Sequence, residues 1–430
     1  MPTPRDPFQS ADDWSFACHL TAGERGTLAV VRRSGRKMSV SQVPLAPASG
    51  LDEPRRAVLI GLDDEDHVLV MDPLSKQVSC LPALPADAIP GYAYLDTDAG
   101  IYWMVNDGDP NTGVDTVQCG SGGSPIIAVQ ADAARGARIL KTLCIGRGHH
   151  VTIFTLPSAR APKVPRRIFS SNLMDGTLTV IGNDPGDTKT YLNVIDTINL
   201  CDAAHEGGKR DAVPNNAFPH GMAYSPLTGK VYNMNNGYGT VAVINPTTLN
   251  IEATVGMKTS SNLLLSPDGR FLIGKGADRK ADPEHVVGRL SVMDGMTNTL
   301  AKTVDLPDVY PSVYRFSADG RKLYVTTAAT GKGKQKENLK LESLLVFDTS
   351  SLPDLRLIKE VKVGRADCGR RPIAFITSQD GGWTFVPNPS DGTLSILDGA
   401  SDRLVETVTL GPANLTEVNF SFWRGLSYGA

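Results

Sequence analysis

The chain has few histidines, few aromatic residues and no excess of either charge. It contains 7 His in 430 residues, 6% aromatic side chains, and 43 basic against 46 acidic groups. This balance removes the case for nucleic acid or an anionic membrane as an obligatory partner, since both need a basic excess. No apolar run reaches the length that crosses a bilayer. The segment Met1-Pro2-Thr3-Pro4-Arg5-Asp6 lacks the apolar core of a signal peptide. The encoded chain is therefore expected in the cytoplasm, or in the periplasm if a signal has been removed. The six cysteines, Cys18, Cys80, Cys119, Cys144, Cys201 and Cys368, form no CxxC pair, which argues against a thiolate zinc site. Without an export signal they are expected to be reduced. No nucleophile elbow, phosphate-cradling glycine loop or regularly spaced calcium loop is present.

What the chain does have is a repeated sentence, punctuated by 42 Gly and 29 Pro. Residues 219–256 give the clearest copy. A short apolar strand, Gly221 to Tyr224, meets the turn Ser225-Pro226-Leu227-Thr228-Gly229. A strand Lys230 to Asn233, a turn Gly237-Tyr238-Gly239, a strand Thr240 to Ile244 and a last strand Ile251 to Val255 follow. The first turn recurs as Ser266-Pro267-Asp268-Gly269, Ser317-Ala318-Asp319-Gly320 and Ser378-Gln379-Asp380-Gly381. The third-strand ending recurs as Val70-Met71-Asp72, Val194-Ile195-Asp196, Val292-Met293-Asp294, Val346-Phe347-Asp348 and Ile396-Leu397-Asp398. Period-2 strands at a repeat of about forty residues predict radially arranged four-stranded sheets, a single closed β-propeller.

Blades are expected at 56–84, 90–145, 149–202, 218–257, 259–308, 309–365 and 370–411, behind a flexible tail at 1–13, with the propeller domain over 14–430. That makes seven, or eight if the hairpin at 27–43 is a blade. Residues 56–84 read as three strands without a first, and the strand Thr416 to Phe422 has no blade of its own. The two are expected to share one sheet and so close the ring, which removes an exposed edge.

The copies at 218–257, 259–308 and 370–411 resemble the YVTN repeat of YncE-like β-propellers. The carrying residues are Pro219-His220-Gly221-Met222-Ala223-Tyr224-Ser225-Pro226, Leu265-Ser266-Pro267-Asp268-Gly269 and Asp391-Gly392-Thr393-Leu394-Ser395-Ile396-Leu397-Asp398. The resemblance covers about 170–411 and implies the fold. Propellers with this repeat include binding and surface proteins, lactonase-like enzymes, copper oxidoreductases and haem d1-binding relatives, so it does not choose a function.

In a blade, the turns between strands one and two lie on one face, while the loops between strands two and three lie on the other. Long insertions at 107–123, 182–190, 276–288 and 330–342 are read as strand two-to-three loops. The long connection Asn199 to Ala217 shares their face. Extended loops gathered on one side of a rigid scaffold mark a working surface. The loop tip Lys332-Gly333-Lys334-Gln335-Lys336 reads as a docking site for an acidic partner or as a solvated tip.

His150 and His220 begin equivalent strands in adjacent blades, with His149 beside the first and His205 on the connection between them. Imidazoles meeting at the channel mouth would suit copper or zinc. Alternatively, each caps a strand through a backbone carbonyl. Arg147, Asn262, Tyr310, Ser312, Arg371 and Glu417 are further candidates at that mouth, where they would bind a small polar ligand or line a hydrated channel. The function expected is recognition or scaffolding of a protein partner through the loop-rich face. The alternative is a metal-dependent oxidoreductase or hydrolase at the histidines.

Overall fold

The computed structural model describes residues 13–22, 25–43, 58–62, 68–71, 78–81, 92–96, 98–105, 119, 123–132, 136–367, 371–376, 382–421 and 426–427. They form eight sheets, six of four strands, one of five and one of three. Helix among them is confined to Lys334–Asn338 and a 3-10 turn at Pro389–Asp391. The all-β propeller expected from the repeats is therefore present, with seven sheets of four or more strands and one further sheet of three among the described residues.

Lettered in chain order, sheet A joins Asp13–Ala22, Arg25–Ser34 and Lys37–Val43 to Glu417–Ser421. Sheet B holds Val58–Leu62, Val68–Met71 and Val78–Leu81. Sheet C runs through Tyr92–Asp96, Ile101–Val105, Ser124–Asp132 and Gly136–Ile145. Sheet D comprises His149–Thr155, Arg167–Asn172, Thr177–Gly182 and Val194–Asn199. Sheet E comprises Pro219–Ser225, Lys230–Asn235, Thr240–Ile244 and Ile251–Gly256. Sheet F comprises Asn262–Leu265, Phe271–Asp278, Val287–Asp294 and Thr299–Pro307. Sheet G comprises Pro311–Phe316, Lys322–Thr327, Ser343–Asp348 and Arg356–Lys362. Sheet H comprises Ala374–Ile376, Trp383–Asn388, Thr393–Asp398 and Arg403–Thr409, with Leu426–Ser427 beside its first strand.

Two details differ from the sequence expectation. The strand Glu417–Ser421 pairs with Asp13–Ala22, with Cys18 opposite Phe420, not with the sheet at 58–81. The hairpin at 27–43 thereby becomes part of a full blade built from both ends of the chain. Sheet B does not lack its first strand either. Val58–Leu62 touches Tyr92–Asp96 and Glu417–Ser421, the strands in the first position of their own sheets. Residues 82–91, after its third strand, lie outside the described residues.

The burial of each strand follows its place in the stack. Inner strands are covered on both faces by neighbouring sheets, so they read as near-continuous apolar runs. Val231, Tyr232 and Met234 on one strand are all fully buried. The outer strand Ile251–Gly256 is mostly exposed, with Val255 its buried position. The sparse tyrosines bind sheets together through their hydroxyls as well as their rings. Tyr224 donates to the Leu156 carbonyl at 2.6 Å, Tyr232 to Gly295 at 3.0 Å and Tyr314 to Ile273 at 2.7 Å.

Cys119 and Cys144 form a disulfide, so these two cysteines depart from the reduced state expected. Cys18 is a buried free thiol and Cys201 a half-buried one. Cys368 lies outside the described residues, as does the side chain of Cys80.

Candidate functional site

Because the strands alternate in direction, the starts of first strands, the loops between strands two and three, and the connections between sheets share one face. Gly229, Gly269 and Gly320 lie in strand one-to-two turns at φ +67°, +77° and +70°, a region that favours glycine, and they mark the opposite face. Gly381 lies outside the described residues. The insertions at 276–288 and 330–342 do join strands two and three, and the connection 199–217 does join sheets D and E. The insertion at 107–123 occupies the same kind of position, although most of it lies outside the described residues.

The insertion at 182–190 is different. It joins the third strand of sheet D, Thr177–Gly182, to the fourth, Val194–Asn199, and so belongs to the face of the glycine turns. There the Asn183 backbone N–H donates to the Arg166 carbonyl at 3.1 Å, and the Asn183 amide donates to Asp96 at 2.6 Å. A cleft of about 450 Å³ lies beside it, lined mainly by apolar groups such as Ile101, Ile139, Leu140 and Leu192.

The insertions 276–288 and 330–342 are not separate solvated tips. They pack into one crest above sheets F and G. Val286, Leu339 and Leu341 form its buried core, with Ala277, Tyr310 and Ala329 against them. The single helical turn Lys334–Asn338 places Gln335 inward, where it is 3% exposed. Its amide donates to the carbonyls of Arg279 at 3.1 Å and Asp282 at 2.6 Å. Asn338 donates to the Glu284 carbonyl at 3.0 Å, and Lys334 pairs with Glu284 at 2.6 Å. Removal of Lys332 to Lys336 would therefore take out a buried tie, not a loose tip.

The candidate mouth residues divide into several groups. Arg371 is fully buried, and its guanidinium donates to the carbonyls of Pro387 at 2.8 Å, Leu341 at 3.2 Å and Gly364 at 2.6 Å, and to the Asn388 side chain. Ser312 is buried too, accepting the Arg371 backbone N–H at 2.7 Å. These two tie sheets G and H together. Arg147 pairs with Asp175 at 2.7 Å, and its backbone N–H donates to the same carboxylate at 2.8 Å. Arg365 and Asp391 repeat the backbone contact at 2.7 Å between sheets G and H. Asn262 folds onto its own strand, accepting the Leu263 N–H at 2.8 Å. Tyr310 sits at the foot of the crest, with the Arg279 guanidinium 5.8 Å from its ring centre. Glu417 lies in a strand, but its side chain is outside the described residues.

The histidines likewise have individual settings. His220 Nδ1 donates to the Ser261 carbonyl at 2.5 Å, so that nitrogen offers no lone pair to a metal. His205 stacks on Tyr238 with ring centres 4.6 Å apart and meets Asp202 at 3.3 Å. His149 and His150 begin the first strand of sheet D, and their side chains lie outside the described residues. Among the described residues no three His, Cys, Asp or Glu side chains gather as a metal site.

Burial lowers the pKa of His220, opposed by its bond to Ser261 and aided by the charge of Lys275. A folded-state pKa below the unfolded value of about 6.5 means that folding favours the neutral ring. The stability this contributes is present above that value and lost as pH falls below it. Melting temperatures between pH 7.5 and 5 should therefore fall more steeply for the wild type than for His220→Gln. Parallel slopes would show that His220 stays neutral in both states or titrates alike in both.

No family model matches the chain, and no curated protein matches it in sequence. Solved structures do resemble it. A periplasmic gluconolactonase of Pseudomonas aeruginosa is 16% identical, with a TM-score of 0.55 over 95% of this chain and 99% of that one. A protein from Lactobacillus plantarum is 18% identical, with a TM-score of 0.51 over 85% of this chain and 99% of that one. A candidate 6-phosphogluconolactonase of Bacteroides fragilis is 16% identical, with a TM-score of 0.51 over 87% and 99%. At these identities the likeness establishes the β-propeller fold. No helix among the described residues is long and apolar enough to cross a membrane.

Proposed function

We propose that the chain is a recognition propeller that holds a protein partner through the crest at 276–288 and 330–342. The observation that carries this reading is the shared interior of the crest, Val286, Leu339 and Leu341 around the buried Gln335 amide. Ordering a loop costs about 1–2 kcal/mol of backbone entropy per residue. Two insertions from different sheets that meet this cost together make a rigid raised surface, the kind of feature that binding uses. The Cys119–Cys144 disulfide supports an oxidising compartment for this work.

The gluconolactonase among the structural neighbours makes lactone hydrolysis the competing activity to exclude. The test is a variant in which 279–285 and 331–338 are each replaced by the short turn Asn236–Gly239 of sheet E. Crosslinking capture should retain a partner on the wild type and lose it on the variant. Wild-type hydrolysis of gluconolactone that survives this replacement, with no partner lost, would overturn the proposal.

A further inference from the structure

The two segments of the crest carry acids and bases in near balance, but more of the acids than of the bases have hydrogen-bond or ion-pair partners. Asp278 accepts the backbone N–H groups of Lys280 at 2.9 Å and Ala281 at 3.1 Å. Asp282 accepts those of Glu284 at 2.7 Å and His285 at 3.1 Å. These bonds hold both carboxyls below their usual range. Glu284 is paired with Lys334, Glu342 with Lys362 at 3.2 Å, and Asp308 below them with His285 at 2.8 Å. Glu337 is exposed and makes no ion pair among the described residues.

The bases are spent less completely. Arg279, Lys280, Lys332 and Lys336 are exposed, and none makes an ion pair among the described residues. Lys336 adds to the field at Asp367, whose carboxylate is already bonded to Arg365 at 2.9 Å. Because Gln335 ties the two insertions through buried hydrogen bonds, the cations are presented by an ordered scaffold. The two segments hold six Lys and Arg against five Asp and Glu in a chain of formal charge −3, so these four cations are set apart by exposure and by making no ion pair among the described residues, not by a large local excess of charge.

We propose that the crest recognises an acidic segment of its partner, a run of Asp and Glu carboxylates laid across Arg279, Lys280, Lys332 and Lys336. The inference rests on the crest being the recognition surface and names the chemistry it takes. Complementary charge of this kind steers encounter and selects the partner, and its contribution falls with added salt.

Fluorescence anisotropy with labelled decaglutamate tests it, with labelled decalysine and a short oligothymidylate as comparisons. Decaglutamate should bind at low salt, weaken as salt rises, and bind tighter than either comparison. The variant R279E/K280E/K332E/K336E should lose on the order of tenfold in affinity. Reversing the same number of exposed cations elsewhere, R160E/K163E/K189E/K258E, should leave binding nearly unchanged. Equal loss in the two variants, or tighter binding of oligothymidylate at the crest, would overturn the acidic-segment proposal. If charge reversal keeps the captured partner while replacement of both insertions loses it, the acidic segment is refuted and the crest stands as the recognition surface. If neither change affects capture, the crest reading fails as well.

Discussion

Replacing Arg371 by Met is expected to cost about 3–5 kcal/mol of unfolding free energy, more than most single substitutions cost. The guanidinium is fully buried and reaches segments that are distant in sequence. Leu341 closes the crest, Gly364 lies on the connection from sheet G to sheet H, and Pro387 and Asn388 end the second strand of sheet H. Methionine fills much of the volume but donates nothing, so these acceptors would be left in a dry interior, each with a desolvation penalty of about 1–3 kcal/mol before relaxation. Lysine should recover less than half of the loss, because one ammonium cannot reproduce a planar fork aimed at several carbonyls. Denaturant titration of the three proteins gives the comparison. A loss below about 1 kcal/mol for Arg371→Met would show that water or side-chain movement satisfies those carbonyls without it. Since Leu341 belongs to the crest core, the methionine variant should also weaken partner capture by the proposed recognition surface.

The sequence carried the repeat well and the tertiary ties poorly. Sheet E matches the reading of 219–256 almost strand for strand, because its turns are short and each strand is bounded by turn residues local to it. Sheet D departs from the repeat pattern at one point. Val194-Ile195-Asp196 imitates the ending of a third strand, yet it lies in the fourth, Val194–Asn199. A better signal was present. Asp175-Gly176-Thr177-Leu178-Thr179 has the pattern of Asp391-Gly392-Thr393-Leu394-Ser395, and both open a third strand. Its physical basis is also shared. Asn172 donates to Thr177 and Thr179 at 2.9 Å, and Asn388 donates to Thr393 at 3.0 Å and Ser395 at 2.9 Å. With Thr177–Gly182 as the third strand, 182–190 falls on the face of the glycine turns.

Arg371 could not be read in this way. An arginine beside another in a polar stretch looks exposed, and its burial depends on carbonyls contributed by separate segments. The crest is invisible for the same reason. Gln335 and the carbonyls of Arg279 and Asp282 lie on insertions of different sheets, and nothing local to either insertion announces the meeting.

Phe385→Ala should destabilise the protein by about 3–5 kcal/mol, and the damage should be concentrated where the two ends of the chain meet. Phe385 is fully buried on the second strand of sheet H. Its ring centre lies 4.9 Å from that of Trp14 and 4.7 Å from that of Phe16, both on the first strand of sheet A in sequence. These rings belong to a core shared by the two sheets, with Leu20, Ala374, Ile396 and Val418. Sheet A differs from its neighbours because hydrogen bonds alone tie Glu417–Ser421 to Asp13–Ala22, with no covalent turn between them. Removing the ring opens a cavity at the surface where sheet A rests on sheet H, so the loss should release sheet A before the rest of the propeller. Amide hydrogen exchange should rise first in 13–43 and 417–421, while 219–256 on sheet E keeps its protection at moderate denaturant. A uniform rise across all sheets would mean that the propeller opens as one unit, and that the sheet made from both chain ends is not its weakest joint.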